Sequence, residues 1–454
     1  MNPISALPFT LVAAFWTLAT PDGSGAQQDT ARLTAIVNVN VLPMNVERVL
    51  AGQTVLIENG RITGLGRAER LAVPAGARVI DGTGKYLLPG LADMHVHLAY
   101  NPEDDHPRLL KLFLANGVTT VLNLRGTPQM LELKANVAAG RILGARVYTV
   151  GPYINEPFVT TADEVERAVV EQRRAGYDFV KLHGDLSRDA YARLNAVARR
   201  EGIRVIGHAP RNLGIEALFE EKQYALVHAE EFLYDKLNRS TDSSLPHVEA
   251  RIPELARETA RAGTWLMPNL TAYKAIARMV HDLDAFLRRP EIRYLPRANQ
   301  IGWGPTTNPY TNRISPSRYE PMMRRYRLLE QMVREFHARG VRLLVGTDAM
   351  NTGVVPGFSA HDELADLVAA GLTPYEALRA ATANAAEFLG DRTRGTIAVG
   401  QEADLLLLDA DPLKDIANSR RMAGVMLGQR WLTRADLDGM LTDLATAGGD
   451  RSPQ

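Results

Sequence analysis

Cysteine is absent from all 454 residues of the chain. This absence excludes disulfide bonds, thiolate zinc sites and a cysteine nucleophile, so any bound metal must be held by nitrogen and oxygen donors. A surplus of one charge is also lacking, because 52 lysines and arginines balance 52 aspartates and glutamates. The balance argues against nucleic acid or an anionic membrane as a partner and leaves a small molecule as the expected one.

Phosphate-binding signatures are missing as well. No Gly-X-Gly-X-X-Gly turn follows an early strand, and no Walker sequence occurs. Nucleotide-binding versions of an α/β fold therefore lose support.

A long apolar run is found nowhere in the chain, but a shorter one from Ala6 to Thr20 stands near its start. It is too short to span a bilayer comfortably, and no later segment is long and apolar enough to do so. Ser24 and Ala26 follow it as the small residues that signal peptidase prefers, although no lysine or arginine precedes it. We interpret residues 1–26 as a signal peptide and expect a periplasmic or secreted protein; an ordered helix is the alternative.

Short segments rich in valine and isoleucine lie near both ends of the chain. They are Thr34–Leu42, Gln53–Glu58, Arg61–Gly64 and Arg78–Ile80, and then Ala403–Asp409, Gly424–Leu427 and Arg430–Thr433. The Asn59-Gly60 pair predicts a hairpin. We predict that residues 27–88 and 397–454 build one small β-sandwich, with a C-terminal tail after it. Two unrelated edge hairpins are the alternative.

Strand-like and helix-like segments alternate between these two regions. After a strand that opens at Pro89, the strand-like segments are Gly117–Leu124, Arg146–Tyr153, Asp178–His183, Ile203–His208, Ala225–Ala229, Thr264–Leu270 and Val341–Gly346. Eight strands alternating with helices predict an α/β fold, a (β/α)8 TIM-like barrel over residues 89–396. A doubly wound open sheet fits the alternation too. One connection, from about 272 to 340, is far longer than usual and reads as an insertion.

Residues that can bind a metal stand at the ends of these strands. His95 and His97 are one residue apart on the first strand, so both point to the same face, and neutral imidazole suits zinc and its first-row neighbours. The fourth, fifth, sixth and eighth strands end with further candidates, namely Lys181, His208, His228 and Asp348. Active sites of such barrels lie at these strand ends.

Each candidate also has a structural interpretation. His208 and His228 could be hydrogen-bonded core histidines, Lys181 could pair with an acid, and Asp348 could cap the next helix. Because all of them fall at the same ends of successive strands, we favour a shared metal site.

In this order, His95-Val96-His97, Lys181, His208, His228 and Asp348 resemble the binuclear metal pattern of the amidohydrolase superfamily. The resemblance covers nearly the whole chain, including Leu88-Pro89-Gly90-Leu91, the segment 374–386 and Gly400-Gln401-Glu402-Ala403-Asp404-Leu405. The closing segments look like the branch that holds imidazolonepropionase-like enzymes and prolidase-like and carboxypeptidase-like binuclear hydrolases. Lys181 favours the binuclear members, because imidazolonepropionase has one metal and no lysine bridge.

The resemblance implies two divalent metal ions, most often zinc. His95, His97 and Asp348 would hold one ion, and His208 and His228 the other. Lys181, carboxylated by carbon dioxide on its amine, would bridge them, since a carbamate supplies anionic oxygens where an ammonium would repel cations. A bridging water, deprotonated to hydroxide, would be the nucleophile. Asp348 would be the catalytic residue, accepting the proton from the water and passing it to the leaving nitrogen.

Other polar residues are candidates for the surroundings of the ligands and for substrate contacts. Glu230 and Glu231 either orient a ligand imidazole or cap a helix, and His183 either modifies the ligand environment or is an exposed rim residue. Tyr234 is a candidate substrate-binding residue, and His361 either lines the pocket or fixes its loop. Arginines and aromatics of the insertion could hold a substrate carboxylate or could be ordinary surface residues. The arginines considered are Arg288, Arg289, Arg293, Arg313 and Arg318, and the aromatic residues are Tyr294, Trp303, Tyr310 and Tyr319.

These observations predict a metal-dependent hydrolase of amide C–N bonds, acting on dipeptides or N-acyl amino acids. Hydrolysis of a cyclic amide, or of another small amide or ester, is the second interpretation. A non-catalytic barrel that binds a partner is the alternative from another class, and the complete set of ligand positions argues against it. A homo-oligomer is compatible with the sequence.

Overall fold

The computed structural model of the protein describes residues 33–98, 105–234 and 244–449. The predicted signal peptide, residues 1–26, lies outside this part of the chain.

The strands, in chain order, are β1 (Leu33–Val41), β2 (Leu50–Glu58), β3 (Arg61–Arg67), β4 (Arg78–Asp81), β5 (Tyr86–Pro89), β6 (Leu91–Val96), β7 (Val118–Asn123), β8 (Arg146–Thr149), β9 (Phe179–Leu182), β10 (Arg204–Gly207), β11 (Ala225–Val227), β12 (Trp265–Met267), β13 (Asp404–Leu408), β14 (Met422–Leu427) and β15 (Arg430–Thr433). The α-helices are α1 (His106–Ala115), α2 (Pro128–Ala138), α3 (Ala162–Ala175), α4 (Arg188–Glu201), α5 (Ile215–Glu221), α6 (Leu245–Ala262), α7 (Leu270–His281), α8 (Leu283–Leu287), α9 (Arg297–Gly302), α10 (Tyr319–Ala338), α11 (Phe358–Ala370), α12 (Pro374–Ala380), α13 (Ala383–Leu389) and α14 (Arg434–Gly449).

Both terminal regions share one eight-stranded sheet. Its order is β15-β14-β13-β5-β1-β2-β3, with β4 paired to β1. The two regions meet where β5 runs antiparallel to β13, with Leu88 opposite Leu406. The predicted hairpin joins β2 to β3 through Asn59 and Gly60, whose φ angles of 50° and 77° suit such a tight turn. The two terminal segments therefore contribute strands to one and the same sheet.

Two parallel sheets follow, with orders β6-β7-β8 and β9-β10-β11-β12. Isolated parallel bridges join Val150 to Phe179 and Leu266 to Leu343, and another pairs Val96 with Ala349. β6 and β7 are buried along their whole length, as expected for strands covered on both faces. The carboxyl ends of neighbouring strands thus come to the same side of the molecule.

The eighth predicted strand, Val341–Gly346, is not a regular strand and carries only isolated bridges. The Val345 N–H donates to the Ala380 carbonyl at the end of α12, at 3.3 Å, while the Val345 carbonyl accepts from Met94 of β6. The Val345 N–H thus bonds to the end of a helix instead of to a neighbouring strand, and this interrupts the strand pairing of the segment. Asp348 still follows this segment, beside the end of β6.

The insertion is helical, with α7, α8, α9, α10 and two short 3₁₀ helices, Pro290–Tyr294 and Pro316–Arg318. α10 packs on α6, α7 and α11, which fixes the insertion against the rest of the fold. Among the described residues, none of the helices combines the length and apolar character that crossing a bilayer requires.

Candidate metal centre and active site

One cavity of about 650 Å³ collects the predicted metal ligands. His95, His97, Lys181, His208, His228 and Asp348 all line it, and so does Tyr234. Because these residues follow different strands, the shared cavity reflects the parallel order of the strands, whose carboxyl ends meet on one side.

His95, His97 and Asp348 form the tightest cluster of possible metal ligands. Their ligand atoms lie within 4.8 Å of one another, and all three residues are buried. One carboxylate oxygen, Oδ1 of Asp348, lies 3.2 Å from Nε2 of His95 and 2.8 Å from Nε2 of His97. The Asp348 N–H donates to the His95 carbonyl at 2.7 Å, so the backbone itself holds the cluster together.

Asn269 determines which nitrogen of His95 is free. Its Oδ1 accepts the backbone N–H of His228 at 3.1 Å, so the Nδ1 of His95, 3.2 Å from the same oxygen, must be a donor. Nε2 of His95 then carries a lone pair and faces an oxygen of Asp348. Burial lowers the pKa of His95 to about 3, which keeps the ring neutral. Neutral imidazole nitrogens directed at a carboxylate oxygen fit a divalent cation.

His208 and His228 form the other side of the site. Their ring centroids are 5.1 Å apart, and the His95 and His228 rings are 4.9 Å apart. Glu231 accepts from Nδ1 of His208 at 2.8 Å and also pairs with Arg211 at 2.5 Å. Nε2 of His208 is therefore the ring nitrogen that could bind a metal ion. Burial lowers the pKa of His228 well below its ordinary value, so this ring is also neutral.

Lys181 is the long polar side chain between these groups. It is buried, and its Nζ lies 5.3 Å from the centre of the Tyr153 ring. Burial lowers its pKa to about 8, whereas Asp348 and Glu231 favour the charged form. An amine with this pKa is partly unprotonated near neutral pH, which is the form that reacts with carbon dioxide.

Glu230, Glu231 and His183, which the sequence placed near the metal ligands, have different environments in the structure. Glu231 contacts a ligand imidazole, whereas Glu230 lines the cavity. His183 is exposed, as a rim residue would be, yet its ring stacks on Tyr153 at 4.3 Å and meets His208 at 4.9 Å. Both interpretations of His183 thus describe part of its environment.

His361 lies outside the cavity, so its assignment as a substrate-binding residue is corrected. Its Nε2 donates to the Asn116 carbonyl at 2.9 Å, and its Nδ1 pairs with the Ser419 hydroxyl at 2.9 Å. Both ring nitrogens are used in joining α11 to neighbouring segments. The residue therefore fixes its loop, which was the other interpretation of it.

Of the arginines and aromatics of the insertion considered above, Tyr310 reaches the cavity and the arginines do not. None of the arginines Arg288, Arg289, Arg293, Arg313 and Arg318 lines it. Tyr273 of α7 and Tyr310 of the turn segment between α9 and α10 do, and the apolar side chains of Ile276 and Ile314 line the cavity as well. The insertion therefore supplies phenol and hydrocarbon groups rather than guanidinium groups.

Sequence reasoning did not single out several residues of this site, among them Arg125, Asn269 and Asn351. Arg125 follows the end of β7, so the rule that found the metal ligands applies to it too. Asn269 and Asn351 are uncharged loop residues, and nothing in the sequence pattern marks them.

The family can now be assigned. A family model described as "Amidohydrolase family" matches residues 86–432. The chain belongs to the amidohydrolase family. The imidazolonepropionase of Deinococcus deserti is 49% identical over 79 residues, which make up 17% of this chain and 20% of that enzyme. The match thus spans only about a fifth of that relative.

Solved structures share the fold over a much greater length. The bottromycin amidohydrolase superposes with a TM-score of 0.75 at 24% identity, covering 93% of this chain and 92% of that one. A Xaa-Pro dipeptidase with methionine bound in its active site superposes with a TM-score of 0.68 at 18% identity, covering 88% and 100%. These likenesses show the amidohydrolase fold.

Proposed function

We propose that this protein is a binuclear metal-dependent amidohydrolase that cleaves the amide bond of dipeptides or N-acyl amino acids. The observation that carries the proposal is the set of six ligand-type side chains on the wall of one cavity. We also propose a (β/α)8 barrel and a small β-sandwich. Isolated bridges that link the two parallel sheets to each other and to the segment around Asp348 support the barrel. The sheet that the two terminal regions share supports the sandwich.

His95, His97 and Asp348 would hold one divalent ion, His208 and His228 the other, and carboxylated Lys181 would link them. We favour zinc, because most of the donors are imidazole nitrogens. When bound, such ions polarise the scissile carbonyl and make a water acidic enough to attack at neutral pH.

Asp348 is the proton carrier in this proposal. Burial opposes ionisation of Asp348, but its contacts with the His95 and His97 side chains outweigh burial and hold its pKa well below the ordinary value, so the group is a carboxylate at neutral pH. As a carboxylate beside the attacking water, it is the group that accepts the proton in this proposal. The carboxylate then donates that proton to the leaving nitrogen, which completes amide cleavage.

Arg125 and Tyr234 are suited to binding the carboxylate of the substrate. Arg125 stands at the cavity rim beside His97, and a guanidinium can form paired hydrogen bonds with a carboxylate. Burial raises the pKa of Tyr234 to about 12, so its phenol remains a hydrogen-bond donor. A terminal carboxylate is common to dipeptides and N-acyl amino acids, and the dipeptidase with the same fold holds methionine in its active site.

Cyclic-amide hydrolysis is the second candidate, and the local identity to an imidazolonepropionase favours it. We also propose that the protein acts outside the cytoplasm, on the basis of the apolar N-terminal stretch and the residues after it.

The test is metal analysis followed by a substrate panel. Protein prepared with zinc or manganese and bicarbonate should bind two metal ions per chain and hydrolyse members of a panel of dipeptides and N-acyl amino acids. Lys181→Ala should lose both metal bridging and turnover, and short carboxylic acids should restore part of the turnover by standing in for the carbamate. Absence of tightly bound metal together with absence of turnover after reconstitution would contradict the hydrolase proposal. Turnover of cyclic amides alone would overturn the substrate class.

A further inference from the structure

The two carboxylate oxygens of Asp348 have different partners. Oδ1 faces the ligand imidazoles, 2.8 Å from Nε2 of His97 and 3.2 Å from Nε2 of His95. Oδ2 accepts a hydrogen bond from the side-chain amide of Asn351 at 2.9 Å. The carboxylate is thereby fixed in rotation, with Asn351 occupying one lone pair of Oδ2 and leaving the other for a proton.

The amide of Asn351 is itself held in one orientation. Its Oδ1 accepts from the Tyr310 hydroxyl at 3.0 Å and from the Thr352 N–H at 2.8 Å. Turning the amide over would place its NH2 group against the Thr352 N–H, which cannot accept a hydrogen bond, whereas the Tyr310 hydroxyl can either donate or accept. The Thr352 contact therefore selects the orientation in which Nδ2 is directed at Asp348, and the Tyr310 hydrogen bond holds the amide in place.

Tyr310 belongs to the insertion, and its position there is also fixed. The buried Asn308 accepts the backbone N–H of Tyr310 at 3.0 Å and that of Thr311 at 3.1 Å. Asn308 in turn donates to the Trp303 carbonyl at 3.0 Å. A continuous set of hydrogen bonds thus runs from the insertion to the carboxylate.

We propose that Tyr310 and Asn351 are positioning residues for Asp348, so that the insertion controls the orientation of the proton-carrying carboxylate. This inference rests on the proposed function, in which Asp348 moves the proton. It assigns the insertion a role in the chemical step in addition to shaping the cavity.

The experiment compares Tyr310→Phe, Asn351→Ala and Tyr319→Phe. Tyr319→Phe is the matched control, because Tyr319 lies on the same insertion and stacks on His281 at 4.1 Å without lining the cavity. Tyr310→Phe loses the hydrogen bond to Asn351 and should lower kcat about threefold to tenfold. Asn351→Ala loses the hydrogen bond to the charged Asp348 and should lower kcat about tenfold to a hundredfold. KM and metal content should remain those of the wild type, and Tyr319→Phe should match it in every value.

A crystal structure of metal-free Tyr310→Phe gives a readout that does not depend on turnover. We expect the Asn351 amide to move beyond hydrogen-bonding distance of Oδ2, or to occupy two positions. An unchanged kcat in Tyr310→Phe, or a raised KM with kcat retained, would overturn the positioning role. If the wild-type protein cleaves no amide, that result counts against the proposed function. If the Asn351 amide is nevertheless displaced in the Tyr310→Phe crystals, the positioning of Asn351 by Tyr310 still holds.

Discussion

At the scale of single residues, the site is built on unusual backbone geometry. Asp348, His228 and Asn269 have φ angles of 63°, 66° and 54°, in the left-handed region that side chains other than glycine seldom adopt. Such conformations persist where surrounding contacts require them, and they concentrate at functional sites. Here each of them turns a side chain toward the same cavity.

The paired glutamates after β11 give a residue-scale prediction. Glu231 holds Nδ1 of His208, so Glu231→Gln should weaken metal binding about tenfold to a hundredfold. Glu230→Gln is the matched control, since its side chain lines the cavity without a hydrogen bond to a ligand ring among the described residues. Metal titration of the two apoproteins measures the difference, and equal affinities would show that Glu231 does not orient His208.

The sequence was informative about the metal ligands and silent about what supports them. His95, His208 and Asp348 could be predicted because metal-binding side chains at strand ends share one side of a parallel fold. Asn269 and Asn351 could not, because an uncharged amide in a loop has many roles, and its role here depends on residues distant in the sequence. The sequence therefore predicts residues whose side-chain type indicates metal binding. It does not predict residues whose role depends only on where the fold places them.

At the scale of secondary structure elements, the start of α7 connects the insertion to the metal site. Glu363 of α11 accepts the backbone N–H groups of Leu270 and Thr271, at 3.1 and 2.7 Å, in the first turn of α7. Burial raises the pKa of Glu363 well above its ordinary value, and the two N–H donors oppose that rise. Asn269, which contacts His95 and His228, immediately precedes this turn.

Replacing Glu363 should therefore disturb both the helix and the site. In Glu363→Gln the amide NH2 would face one of the two backbone donors, and a buried unsatisfied group costs about 1–3 kcal/mol. We expect a lower melting temperature and weaker metal retention. Glu335→Gln, on the exposed surface of α10, should change neither. A Glu363→Gln protein with wild-type metal affinity would show that the α7 start does not position Asn269.

The elements also differ in how well the sequence predicted them. The helical spacing of apolar residues predicts helices over Thr161–Ala175 and Arg188–Glu201, and α3 and α4 follow these bounds closely. The agreement arises because this spacing, and the Thr161–Glu164 capping box at the start of α3, are local signals. The eighth strand was predicted as regular, but one of its N–H groups pairs with α12. That pairing depends on the tertiary arrangement, which local periodicity does not record.

At the scale of the whole molecule, His361 links parts that are distant in the sequence. It lies on α11 and bonds to Asn116 after α1 and to Ser419 near the C-terminal strands. Burial lowers its pKa to about 3, below the ordinary value of 6.5. As pH falls from 6.5 toward 3, the unfolded chain takes up a proton at this residue and the folded protein does not. The contribution of His361 to the free energy of unfolding is therefore fully present above pH 6.5. It is lost progressively as the pH falls from 6.5 toward 3.

The prediction is a change in the pH dependence of unfolding. Between pH 6 and 4, His361→Gln should reduce the slope of the metal-free protein's unfolding free energy by about 1.4 kcal/mol per pH unit relative to wild type. His247→Gln, at an exposed position, should leave the slope unchanged. Urea unfolding at several pH values measures both. Parallel curves for wild type and His361→Gln would contradict a neutral, buried His361.

The pairing of β5 with β13 has a consequence for how the protein is made. β5 precedes the entire metal-binding region, and β13 follows it. During synthesis the edge of β5 that pairs with β13 remains unpaired until the ribosome has produced the metal-binding region and β13. Contacts between such distant segments form slowly, and open strand edges invite association with other chains. We therefore expect truncated products that end before β13 to aggregate rather than to persist as a smaller folded enzyme.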